Sequence, residues 1–90
     1  MQEIDISSND EIFSELQDVL KRLNIKLRYD RGYFHGGLFR YRDKQTIYLN
    51  RADPVDNHVS IIISELKEMD LSAVLMSPAL KELIQEFPES

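Results

Sequence analysis

The sequence predicts an α+β domain: a three-stranded antiparallel meander with helices packed on one face, in the order α-β-β-β-α-α. Three observations carry this. Residues 8–24 place apolar side chains at helical spacing, residues 25–50 switch to alternation broken by turn signals, and residues 53–87 return twice to helical spacing. Ninety residues suit one domain, spanning 1–90.

The first helix is read from Ser8, whose hydroxyl and the carboxylate of Glu11 form a capping box. Ile12, Phe13, Leu16, Val19, Leu20 and Leu23 then form one apolar stripe, and Asn24 suits a left-handed C-cap. Ahead of it, Ile4 and Ile6 alternate with Glu3 and Asp5, as an edge strand or a loose tail would. Residues 25–29 alternate strictly, with Ile25, Leu27 and Tyr29 inward and Lys26 and Arg28 outward. Asp30, Arg31 and Gly32 signal a turn. A second strand over 33–41 is interrupted by the pair Gly36 and Gly37. Residues 42–45 connect it to a third strand over 46–50. Short connections imply antiparallel neighbours, because parallel ones need long crossovers.

Asp53 is read as the N-cap of the next helix, with Pro54 at its first position. Val55, Val59, Ile62, Ile63, Leu66 and Met69 give its buried stripe. The β-branched run at 61–63 also fits a strand; the spacing and caps favour a helix. Residues 70–77 form a connector, extended in part over 73–76. Ser77 and Pro78 open a last helix with Leu80, Leu83, Ile84 and Phe87 on its apolar face. Pro88 ends it.

The net charge of −5 hides a segregation. Nine of the eleven Lys and Arg fall between positions 21 and 51, where Asp30 and Asp43 are the only acids, a net +7. The remainder carries two basic and fourteen acidic groups, a net −12. The strands are therefore basic and the helices acidic. There is no cysteine, which excludes disulfides, thiolate zinc sites and cysteine nucleophiles. The N-terminal residues lack the basic and apolar regions of a signal peptide, and the longest apolar run is Ile61, Ile62, Ile63. The expectation is a soluble cytoplasmic protein without membrane contact.

Motifs for chemistry are sparse. Gly36 and Gly37 fit neither dinucleotide nor phosphate loops; they mark a bulge, a gap under a crossing helix, or a place where a partner backbone comes close. His35 and His58 have no second ligand at metal spacing, and no Ser or Thr sits in a nucleophile motif. No catalytic residue, cofactor or metal is expected. The candidate partner-binding residues are Arg28, Tyr33, His35, Gly36, Gly37, Arg40, Arg42 and Lys44. Basic groups interleaved with Tyr33, Phe34, Phe39, Tyr41 and Tyr48 fit an acidic protein partner. They also fit single-stranded nucleic acid, which the net negative charge disfavours. Alternation turns Arg28 outward, while the face of Arg40 and Arg42 depends on a bulge at the glycines. An uncovered face or edge also leaves room for a homodimer.

A glycine-led strand, a strand ending Ile47-Tyr48-Leu49-Asn50, and then a helix resemble the core of the small zinc metallopeptidases of the repressor-cleaving type. The likeness spans about residues 24–70. That family carries H-E-x-x-H on the helix, two histidines binding zinc and the glutamate acting as base. Here Glu65 matches the glutamate, while Ser64 and Glu68 stand in the histidine positions. The resemblance therefore implies a degenerate, non-catalytic member. In general pattern the chain is also similar to short bacterial α+β proteins.

Overall fold

In a computed structural model, residues 2–32 and 36–88 are described, apart from the side chains of residues 2–9. They form three helices and one three-stranded sheet in the order α1 (Gln2–Arg22), β1 (Ile25–Asp30), β2 (Gly37–Tyr41), β3 (Lys44–Asn50), α2 (Val55–Lys67) and α3 (Pro78–Glu86). The α+β class and the element order are those expected; the sheet is not a meander. Its order is β1-β3-β2, with β1 parallel and β2 antiparallel to β3.

The expectation failed because it required consecutive strands to be neighbours. A parallel pair does need a long connection, and here β2 itself supplies it. The chain leaves β1 at Asp30 and re-enters the sheet as β2 at Gly37, on the far side of β3. That separation is two strand spacings, about 10 Å, well within reach of the intervening residues. The crossing is tied down at Asn50: its Nδ2 donates to the Gly32 carbonyl at 2.8 Å, and Arg51 N donates to the Asp30 carbonyl at 2.7 Å. Gly32 takes φ 140°, a conformation that disfavours side chains.

Helix α1 begins six residues before the expected cap. Residues 2–7 contain no Gly or Pro to stop it. Ser8 therefore lies inside the helix, and Ile4 and Ile6 belong to no strand. Asn24 closes the helix in the left-handed region, φ 64°. The β2–β3 turn is Arg42 and Asp43 alone, so β3 starts at Lys44 rather than 46 and Arg42 takes φ 60°. The part of the expected second strand at 33–35 lies outside the described residues.

Helix α2 starts one residue later than read. Its N-cap is Pro54, with no side-chain cap bond, and Asp53 instead accepts from Asn57 Nδ2 at 2.9 Å. Residues 59–63 are helical, and Val59, Ile62, Ile63 and Leu66 are buried. The connector turns at Ser72 and Ala73, with Val74 N donating to the Leu71 carbonyl, and residues 74–77 form no strand or helix.

All three helices gather their apolar stripes on one side of the sheet. Leu16, Val19 and Leu20 of α1, Ile62, Ile63 and Leu66 of α2, and Leu80 and Ile84 of α3 join Ile25, Ile47 and Leu49 in one core. Each such side chain contributes about 1.5–3 kcal/mol on burial. Helix α3 is also gripped at both ends by charges from the other helices. Glu15 accepts from Ser77 N at 2.6 Å and from Ser77 Oγ at 2.9 Å, while Ser77 Oγ caps α3 by accepting from Leu80 N at 3.1 Å. Lys67 Nζ donates to the Ile84 and Gln85 carbonyls at 3.2 and 2.9 Å. An anion at the N-terminus and a cation at the C-terminus both suit the helix dipole.

Glu15→Ala should therefore lower stability by about 1–3 kcal/mol, and Glu15→Gln, which keeps one acceptor, by less. Urea unfolding midpoints at constant slope check both.

Candidate functional site

The mixed topology divides the sheet into a covered face and an open one. Cross-strand partners share a face, so the register gives the open face in rows. Lys26, Thr46 and Phe39 form one, Arg28, Tyr48 and Gly37 the next, and Lys44 stands opposite Tyr41 at the end. No described helix lies over these rows. Phe39 is 55 % and Tyr41 70 % exposed. Phe39 meets Tyr48 edge-on, ring centroids 5.3 Å apart, and the Arg42 guanidinium lies over the Tyr41 ring at 5.1 Å. Among the described residues Lys26, Arg28 and Lys44 make no ion pair.

The candidate residues separate accordingly. Arg28 and Lys44 are exposed on the open face, and Arg42 is exposed in the turn beside it. Arg40 pairs across from Gln45 on the opposite face, and its Nε donates to Gln45 Oε1 at 3.1 Å. Tyr33 and His35 lie outside the described residues, as does Phe34. Lys26, already read as outward, belongs in the same patch by register.

Gly36 has a structural reason. A Cβ there would stand 2.5 Å from the Tyr48 carbonyl oxygen and 2.9 Å from Ile61 Cδ1 of α2. It is the gap under a crossing helix. At Gly37 the nearest atom would be Glu65 Oε2, at an ordinary 3.7 Å.

The two sheet edges differ. On the β2 edge, Glu65 Oε2 accepts from Leu38 N at 3.3 Å, so a carboxylate occupies a strand N–H there. On the β1 edge a groove of ≈ 810 Å³ runs between α1 and the strand, bordered by Leu20, Lys21, Lys26, Leu27 and Arg28. A smaller cleft of ≈ 430 Å³ lies between α2 and α3, with Leu66, Met69 and Ile84 in its walls.

His58 is buried and structural in its contacts. Its Nε2 lies 2.8 Å from the Asn50 carbonyl, which only accepts, so Nε2 carries the proton. Its ring packs edge-on against Tyr29 at 5.7 Å. Burial raises the Tyr29 pKa above its ordinary value, and the Arg51 guanidinium, 5.8 Å over the ring, pulls it partly back. Among the described residues no group of three or more His, Cys, Asp or Glu is placed to hold a metal ion. No described helix is long and apolar enough to cross a membrane.

Neither a family model, nor a curated protein, nor a solved structure matches the chain.

Gly36→Ala should cost about 1–3 kcal/mol through overpacking, whereas Gly37→Ala should change stability by less than about 1 kcal/mol; thermal melts of the two variants compare them directly. Tyr29 makes a pH prediction. Because its folded-state pKa is raised, its contribution to stability is complete below the unfolded value, about 10, and is lost as pH rises through the folded value. Phenolate absorbance, assigned with Tyr29→Phe, should show one late-titrating tyrosine, later still in Arg51→Ala.

Proposed function

We propose that this protein is a non-catalytic interaction module that contacts an acidic protein partner through the open face and free edge of its sheet. The carrying observation is the row of unpaired cations, Lys26, Arg28 and Lys44, on an uncovered face inside a net-acidic molecule. Burying an ionic contact requires complementary charge nearby, and local complementarity steers association whatever the total charge. Phe39 and Tyr41 beside these cations supply the aromatic area that anchors protein interfaces.

The same pairing of exposed aromatics with cations also supports a second reading, single-stranded nucleic acid stacked on Phe39 and Tyr41. The charge balance favours protein, because phosphate binding draws on the overall electrostatic term. On the metallopeptidase resemblance, the reading is of a helix that kept its glutamate for structure. Glu65 is engaged with the β2 backbone, a role that needs no metal.

Arg28→Glu combined with Lys44→Glu reverses charge at two exposed sites, so the fold should persist. Captured from native lysate, protein partners of the wild type should be lost from this variant and be indifferent to nuclease. Recovery of the same proteins by both forms contradicts the reading, and loss on nuclease treatment replaces it with nucleic-acid binding.

A further inference from the structure

The β1 edge offers backbone, apolar and charged features together. Strand β1 is paired only with β3. Among the described residues, Lys26, Leu27, Arg28 and Tyr29 make no backbone hydrogen bond beyond that ladder. A sheet edge of this kind presents unpaired N–H and C=O groups that template another strand. The groove beside it has Leu20, Ile25, Leu27 and Tyr29 toward α1. Three cations border it, Lys26 and Arg28 on the open-face side and Lys21 on α1, and no acid lines it.

Resting on the interaction-module reading above, we propose that this groove binds an extended segment of the partner that adds to β1 as a fourth strand, with acidic and apolar residues alternating along it. The alternation follows from strand geometry. Successive side chains of an added strand point to opposite faces. One set therefore meets Lys26 and Arg28 and must be acidic; the other meets Leu27 and Tyr29 over Leu20 and must be apolar. Six strand residues in β1 allow a contact about 20 Å long.

Two other occupants are disfavoured by the same residues. A second copy of this chain, pairing antiparallel through β1 about Leu27, would set Lys26 against Arg28, and like charges directly opposite destabilise a sheet. A segment of either sign at the β2 edge would have to displace Glu65 from the Leu38 N–H. An acidic one would also meet its charge.

The experiment titrates the full chain into a short fluorescein-labelled peptide of alternating Glu and Val. An alternating Lys and Val peptide and a labelled oligo-dT serve as comparisons. Saturable binding of the Glu peptide alone is expected, falling steeply with added salt. Lys21→Glu should weaken it at least about tenfold (1.4 kcal/mol), Lys21→Gln less so in the same direction, and Lys81→Glu hardly at all. Lys21 borders the groove but belongs to α1, while Lys81 is on α3 and borders the other cleft. Amide exchange in β1 should slow when the peptide binds. The groove proposal is overturned if Lys44→Glu, on the open face, abolishes binding while Lys21→Glu does not, a result that leaves the open-face reading standing. It is also overturned if β1 amides gain no protection, or if oligo-dT binds in place of the Glu peptide. No binding of the Glu peptide by folded protein overturns it as well, and the lysate capture decides separately whether the broader reading falls too.

Discussion

Everything in this fold follows from how the chain leaves β1. Strand β3 lies between β1 and β2, so the chain re-enters the sheet on the far side of β3, and Asn50 at the end of β3 holds Gly32, just past β1, by a hydrogen bond. The Asn50 side chain donates to the crossing loop and accepts from Ala52 N at 3.1 Å, while its carbonyl accepts from His58 on α2. One residue thus couples the loop, the sheet and the helix that covers it. A buried amide without these partners would cost several kcal/mol, which makes the junction specific to one strand order.

That order determines where charge goes. With β3 central, its apolar residues Ile47 and Leu49 face the helices and are fully buried. The basic strand β1 becomes an edge, and its alternation leaves Lys26 and Arg28 on the uncovered side. The acidic helices meanwhile spend charge on one another's ends, Glu15 and Lys67 at the two ends of α3 being the clearest case. The result is an uncovered sheet face that carries Lys26, Arg28 and Lys44 with no ion pair among the described residues. The proposed interaction module rests on that arrangement.

Local chemistry was legible in the sequence where it acts locally. The alternation over 25–28, the Ser77–Pro78 helix start and the spacing of Val59, Ile62, Ile63 and Leu66 appear as read, while Tyr29, expected inward, is 36 % exposed. The strand order was not legible, because it depends on whether a loop turns back or crosses over, and Gly32 permits both. The reach of α1 to Gln2 was obscured by a capping box at Ser8 whose residues fit a helix interior equally well. Within the site, strand parity correctly turned Arg28 outward. Arg40 required the actual register, which sets it beside Gln45 on the other face. The groove under α1 had no signature at all, since Lys21 and Lys26 are brought together by tertiary packing.

The strand order is the claim on which the rest depends, and a single cross-link tests it. Lys26 and Thr46 are Cα partners on the open face in the parallel β1–β3 register. The chain has no cysteine to interfere. Directly opposed strand residues lie within the separation a disulfide bridges, about 4.4–6.8 Å. In the Lys26→Cys/Thr46→Cys variant the folded protein should oxidise readily to an internal disulfide, seen as an intact-mass loss of two hydrogens with native circular dichroism. If the folded variant keeps both thiols reduced, β1 does not lie beside β3, and the open basic face and the β1 groove go with it.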